Sequence, residues 1–311
     1  MKLVFLDRKS IGDDIDFSPF YQLGDVDEYN FSTPEEVPDR IQDADVIIVN
    51  KIPVNEQTIG HASHLKLVCV TATGTNNLDK SYLEQRGIAW RNVAGYSTES
   101  VAQHTFAMLF YLLEHLRYYD DYVAQGHYLN DTMFTHFDKR FRQINGMTWG
   151  IIGLGAIGRR VAEIARLFGA NIIYYSASGA APQEGYQQVD FDTLLSTSDI
   201  ISIHAPLNEH TQGLINSDAF LKMQKHTILL NVGRGPIVDE AALTDALKNK
   251  QIAAAGLDVL SVEPMSADNP LTELLGNENL LITPHIAWAS VEARTRLMQI
   301  IEEQIRTFFH L

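Results

Sequence analysis

The stretch that decides the fold is TWGIIGLGAIGRRVAEIARLFGANIIYYS, residues 148–176. An apolar run at 148–152 leads into Gly153-Leu154-Gly155-Ala156-Ile157-Gly158. An amphipathic pattern follows, and a second apolar run closes at 171–175. Three spaced glycines are a weak sign alone. Between a strand and a helix each acquires a physical reason. Gly153 permits the tight turn out of the strand, Gly155 lets backbone approach a pyrophosphate, and Gly158 lets the helix lie close on the sheet. The helix N-terminus, with Ala156 and Ile157, then offers N–H groups and a positive dipole end to phosphates. The stretch therefore predicts a βαβ unit that binds a dinucleotide. Its second strand ends in Ser176, where such units usually carry the acid that bonds the adenosine ribose. Residues 174–188 contain no Arg or Lys to receive a 2′-phosphate either. The sequence thus favours NAD and leaves NADP open, with Ser176 still able to bond a ribose hydroxyl.

Working outward, apolar runs recur at 200–204, 227–231, 253–258 and 280–283 toward the C-terminus, and at 2–6, 45–49, 66–71 and 89–92 toward the N-terminus. Helical or polar segments such as 34–43 and 79–86 separate them. This alternation predicts layered α/β structure, and strands apolar nearly throughout predict parallel sheets covered on both faces. Residues 98–124 read as one long helix, opened by a partial capping box at Ser97 with Ser100 in the usual Glu place. The stretch 126–146 is polar and irregular. The segment 290–309 is an amphipathic helix carrying Ile300, Ile301, Ile305 and Phe308.

A chain of 311 residues has room for two domains. Its net charge of −15 repels nucleic-acid phosphates and anionic membranes, which excludes both as partners. An anionic substrate would need locally positive groups. The one cysteine, Cys69, lies inside LKLVCV and reads as a buried strand residue, not a nucleophile. No apolar stretch reaches the ~20 residues of a membrane-spanning helix. The best candidate, 101–116, is broken by Gln103, His104, Glu114 and His115. The opening MKLVFLDRKS lacks the features of a signal peptide, so a cytoplasmic location is expected. Nothing in the residues calls for a metal.

Six motifs stand in order along the chain: VTATGTNNLD at 70–79, ESVAQHTFAML at 99–109, HAPL at 204–207, NVGRGPIVDE at 231–240, LDVLSVEP at 257–264 and TPHIAWAS at 283–290. Together with the glycine turn they resemble the D-isomer-specific 2-hydroxyacid dehydrogenases over nearly the whole chain. ATGTNNLD, the NPLT that follows SVEPMSADN, and HIAWAS look most like glycerate dehydrogenases, also called hydroxypyruvate reductases. The resemblance implies an NAD(P)-dependent oxidoreductase of a small 2-oxo acid and its 2-hydroxy acid, with Arg234, Glu263 and His285 catalytic.

The chemistry asks for the same residue types. Hydride transfer to a carbonyl carbon leaves an oxyanion, which needs a proton donor such as His285. Glu263 would bond the far ring nitrogen, orient the ring and favour its protonated form. Formate dehydrogenases of the superfamily pair Gln with the His, so Glu263 argues for chemistry that passes a proton. Arg234, between Gly233 and Gly235 at a strand end, offers a planar fork for a carboxylate, and the flanking glycines suggest close approach of a ligand. His104 is a rival base, read as structural or cofactor-adjacent.

Further roles follow from the resemblance. Thr73 and Gly74 match the backbone amides that bind the substrate carboxylate. Lys51 either lines the same cleft or is a surface lysine. Trp288 either caps the pocket or packs between domains. Cofactor contacts fall on Ala156, Ile157, Ser176, His204, Pro206, Val232, Arg234 and Asp258. The expected architecture is two doubly wound parallel-sheet domains. A Rossmann cofactor domain, 99–285, is inserted into a flavodoxin-like substrate domain, 1–98 with 286–311, and the site lies in the cleft between them. The helix from Val101 and the arm after Gly126 resemble the family's dimerisation region, which implies a homodimer. Two other readings fit the same fold: a corepressor-like regulator that senses dinucleotides, and an enzyme acting on phosphite or formate.

Overall fold

The structure, a computed structural model, describes residues 1–179 and 181–311. The chain divides into two compact units, one made of Met1–Ser97 with Trp288–Leu311 and the other of Thr98–Ala287.

The first unit holds β1 (Lys2–Phe5), β2 (Asp25–Glu28), β3 (Val46–Val49), β4 (Leu67–Val70) and β5 (Ala89–Arg91). They form one parallel sheet in the order β2-β1-β3-β4-β5. Successive side chains of a strand point to opposite faces. Phe5, Ile48 and Cys69 therefore pack on one face with Leu297, Met298, Ile301 and Ile305. Val4, Ile47 and Val68 pack on the other with Ile41, Ile59 and Leu83. Both faces are dry, which is why these strands read as unbroken apolar runs. The helix Val291–Phe309 is capped by Ser290, whose hydroxyl accepts the Ala293 N–H. Arg294 forks onto both carboxylate oxygens of Asp14. Burial pushes the Cys69 thiol up to about 12, as a sealed strand residue requires.

The second unit holds β6 (Thr148–Ile152), β7 (Asn171–Tyr175), β8 (Gln187–Gln188), β9 (Ile200–Ile203), β10 (Ile228–Asn231), β11 (Ala254–Leu257) and β12 (Leu280–Ile282). Their order is β12-β11-β10-β9-β6-β7-β8, parallel throughout. The order reverses between β6 and β9, and a doubly wound sheet binds its ligand at the carboxyl ends of the strands flanking such a reversal. In the first unit the reversal lies between β1 and β3.

Three features differ from expectation. The strands β2 and β8 have no apolar run to announce them, because DVDE and QQ lie at sheet edges where polar residues are tolerated and guard against pairing with other chains. The helix expected over 98–124 is two helices, Thr98–Leu113 and Leu116–Ala124. The break falls at His115, whose φ of 53° is left-handed and cannot continue a right-handed helix. The first helix buries Val101, Phe106, Met108, Leu109 and Leu112 and packs on β10 and β11, whereas the second buries no residue. Aromatic residues run through both and hide the change, although the second helix carries Arg117, Asp120 and Asp121.

Candidate active site

The glycine turn follows β6. Gly153 has φ +92°, and a Cβ on it would lie 2.8 Å from Cα of Ala205. A Cβ on Gly158 would lie 2.2 Å from the Gly153 carbonyl oxygen. The protein's own backbone fixes these two glycines. Gly155 differs, since a Cβ there would meet nothing within 4 Å. It is exposed and, as the N-cap of the helix Ala156–Leu167, has no side chain to cap the N–H groups of the first turn. The open space and the N–H groups coincide where a pyrophosphate would lie. Ser176, directly after β7, contacts the Ser178 hydroxyl at 3.2 Å.

Across the reversal, His204 follows β9. Its Nε2 lies 3.0 Å from the Ser202 hydroxyl, which also accepts Trp149 Nε1–H at 2.9 Å. Its Nδ1 is buried and has no partner among the described residues. Burial drives this imidazole down to about 3, so the ring is neutral at ordinary pH. An orphaned ring nitrogen beside the glycine turn suits a bound polar ligand. Pro206 is exposed, and its carbonyl accepts the Thr211 hydroxyl. The turn, the reversal and the orphaned nitrogen fit a dinucleotide.

The remaining chemistry stands at the carboxyl ends of β10, β11 and β12. After β10, Val232 is buried, and Asn231 builds the turn by accepting the Gly233 N–H and donating to the Arg234 carbonyl. Arg234 is half-buried, and its Nη1 donates to the Gly233 carbonyl at 2.7 Å. The glycines flanking it answer to backbone. A Cβ on Gly233 would sit 3.0 Å from the Ala205 carbonyl oxygen, and one on Gly235 only 1.9 Å from the Leu260 carbonyl carbon. Gly235 therefore lets the Arg234 turn press against the loop that carries Glu263. Glu240 holds the same loop by accepting Ser261 N–H at 2.7 Å and the Asn269 amide at 2.8 Å.

Glu263 and His285 meet directly. Glu263 Oε1 accepts the Leu260 N–H at 3.0 Å, and Oε2 lies 2.7 Å from Nδ1 of His285. His285 has a φ of 56°, a strained value for a residue with a Cβ. Asp258 directly follows β11, with its side chain 1% exposed. Its oxygens accept the Thr283 hydroxyl at 2.6 Å and the N–H groups of Ile286 and Ala287 at 2.9 and 2.8 Å. This aspartate, singled out for a cofactor contact, is thus also a support of the His285 loop. Asn231 and Glu240 were missed in the sequence. Each lies inside NVGRGPIVDE, yet what each holds depends on loops distant in the chain.

In the first unit, Thr73 and Gly74 follow β4. The Thr73 hydroxyl donates to the Val93 carbonyl at 2.9 Å, and its own carbonyl accepts the Asn92 amide. Lys51 follows β3 with an exposed side chain, at the reversal of that sheet. Its N–H and that of Asn50 are held by the Asp7 carboxylate at the end of β1. Burial raises the Asp7 carboxyl above the usual carboxylate range, opposed by the amides of Lys51, Asn50 and Ile52. Trp288 packs edge-on against Tyr96, ring centroids 6.2 Å apart, within this unit. Among the described residues no cluster of His, Cys, Asp and Glu could hold a metal ion, and no helix is long and apolar enough to cross a membrane.

A dinucleotide turn at a sheet reversal, with a carboxylate–imidazole pair at neighbouring strand ends, defines a nicotinamide-dependent oxidoreductase. Residues 106–287 match the family model "D-isomer specific 2-hydroxyacid dehydrogenase, NAD binding domain". The chain is 37% identical to a hydroxypyruvate reductase of Blautia hydrogenotrophica, over 99% of this chain and 97% of that protein. It is 37% identical to a glycerate dehydrogenase of Methylorubrum extorquens, over 98% and 93%. Among solved structures, D-lactate dehydrogenase from Aquifex aeolicus complexed with NAD and lactic acid superposes with a TM-score of 0.85 at 28% identity, covering 100% of this chain and 96% of that one. The chain belongs to the D-isomer-specific 2-hydroxyacid dehydrogenases, NAD-binding oxidoreductases.

Proposed function

We propose that the chain interconverts hydroxypyruvate and D-glycerate with NAD(H), and that Arg234, Glu263 and His285 carry the reaction. The observation that bears most weight is the 2.7 Å pairing of His285 Nδ1 with Glu263 at the ends of adjacent strands. The names of the full-length relatives support the substrate. When bound, nicotinamide supplies the hydride at its C4. The oxo oxygen of the substrate gains negative charge as hydride arrives, and His285 passes it a proton from Nε2. Glu263 fixes Nδ1 as the bonded nitrogen and sets the plane of the ring. Arg234 grips the substrate carboxylate and polarises the carbonyl. We assign Thr73 and Gly74, through their backbone amides, and Lys51, through its positive charge, to substrate binding. We also assign Trp288, whose ring packs on Tyr96, to substrate binding.

For the cofactor, Gly155 with the amides of Ala156 and Ile157 would cradle the pyrophosphate, Gly153 and Gly158 shaping the turn that presents them, and Ser176 would meet the adenosine ribose. His204, Pro206 and Val232 flank the nicotinamide half, with Asp258 toward the carboxamide. The unit of Thr98–Ala287 is then the dinucleotide domain and the other the substrate domain. We assign a homodimer, formed through the arm after Gly126, which exposes Leu129, Phe134 and Phe137. A single reduced, buried cysteine supports the cytoplasm as the place of action.

The test is loss of NADH and NADPH absorbance against a panel of hydroxypyruvate, glyoxylate, pyruvate and bulky 2-oxo acids. Hydroxypyruvate with NADH should give the highest kcat/KM. Fast turnover of another acid corrects the substrate. Tight NADH binding with no turnover on any acid overturns the enzymatic reading in favour of a dinucleotide-sensing regulator.

A further inference from the structure

Neither His104 nor Thr283 has a part in the reaction just assigned, yet both bear on the strained turn that presents His285. Thr283 Oγ1 lies 2.6 Å from Asp258 Oδ1 and 3.0 Å from His104 Nε2. A hydroxyl owns one proton, and a carboxylate only accepts. The Thr283 proton therefore points to Asp258. Oγ1 then accepts from His104, so His104 carries its proton on Nε2. The bonds run one way, from His104 to Thr283 to Asp258, and Asp258 in turn receives the N–H groups of Ile286 and Ala287. His104 Nε2 also lies 3.6 Å from Asp258 Oδ1.

These amides immediately follow His285, whose own N–H is tied back to the Thr283 carbonyl at 2.9 Å. Every residue from 283 to 287 except Pro284 is thereby bonded to this cluster or within the turn. A left-handed residue with a Cβ is disfavoured and persists only where its surroundings over-determine it. The helix Thr98–Leu113 supplies a second clamp, since Ser100 donates to the Ala287 carbonyl at 2.6 Å. Ser100 and His104 are four residues apart and share one face of that helix.

We infer that His104 and Thr283 are positioning residues. They act through Asp258 to hold His285 in its left-handed conformation, with the ring aimed at both Glu263 and the reacting oxygen. This rests on His285 being the proton donor.

The experiment uses the full-length enzyme with the best oxo acid of the panel. It compares His104→Leu and Thr283→Val, which remove the bonds, with His104→Gln and Thr283→Ser, which keep a donor or hydroxyl. The first two should lower kcat by about 10- to 100-fold, the scale of a misplacement near 1 Å. KM for the oxo acid and Kd for NADH should stay within about threefold. The conservative pair should return kcat to within about threefold of wild type. The double variant His104→Leu/Thr283→Val should be no slower than the slower single, because both break one chain of bonds. If Thr283→Val does not fold, the two His104 variants decide by themselves. Equal losses in His104→Gln and His104→Leu, or wild-type kcat in His104→Leu, overturn the relay. His285→Gln serves as the control. If it keeps near-wild-type turnover, the proton-donor reading fails. If it collapses while His104→Leu and Thr283→Val do not slow, only the relay fails.

Discussion

Single side chains carry two expectations. His285→Gln should cut kcat by about 10²- to 10⁴-fold, the usual span for a lost general acid, and leave NADH affinity nearly unchanged. Turnover within a few-fold of wild type removes His285 from its role. The second concerns His204. Its folded value, near 3, lies well below the unfolded imidazole value near 6.5. Above pH 6.5 both states are neutral and the ring contributes no pH dependence. Below that, the unfolded chain takes up a proton that the folded chain refuses, so stability falls with pH until about 3. The slope reaches at most about 1.4 kcal/mol per pH unit. Urea unfolding at pH 7 and pH 5 should show His204→Asn losing about 1–2 kcal/mol less than wild type over this interval. Parallel losses contradict a buried neutral ring.

At the level of strands and turns, the three glycines after β6 separate packing from binding. Gly155→Val should leave the melting temperature of the ligand-free protein nearly unchanged, because a Cβ there meets nothing. The same change should weaken NADH at least tenfold by filling the phosphate cradle, read by fluorescence titration. Gly153→Ala should instead destabilise the protein itself, since its φ of +92° and Ala205 oppose any Cβ. Equal NADH affinity in Gly155→Val would move the cofactor elsewhere. The βαβ unit was legible because glycine spacing and apolar periodicity are local properties. So was the pair of Glu263 and His285, through the motifs that hold them. The edge strands β2 and β8 were not legible, because their backbone bonds do not depend on apolar side chains. The packing served by the glycines flanking Arg234 was not legible either, because Gly233 and Gly235 make room for Ala205 and Leu260, which lie about 25–28 residues away on either side of the turn. The Asp258 cluster joins residues 104, 258 and 283, which no window of sequence contains.

For the whole molecule, the arm after Gly126 sets the main expectation. Leu129, Phe134 and Phe137 are each at least 79% exposed, and the proposed homodimer would cover them. Light scattering should report a homodimer. Phe134→Ser with Phe137→Ser should shift the equilibrium toward the monomer. A wild-type mass of one chain at micromolar concentration would sink this assignment.

The first unit draws its strands from residues 2–91 and its closing helix from Val291–Phe309, with the whole of the second unit between. During synthesis its sheet must therefore wait with part of one apolar face uncovered until that helix leaves the ribosome. At roughly 5–20 residues per second that wait is on the order of ten to forty seconds. The second unit, contiguous in the chain, has every residue it needs to fold earlier. The nascent protein thus passes through an interval in which the dinucleotide unit is complete while part of its companion's apolar surface is still uncovered. Substitutions in the terminal helix should be felt first as poor yield in the cell, before they are felt as slow catalysis.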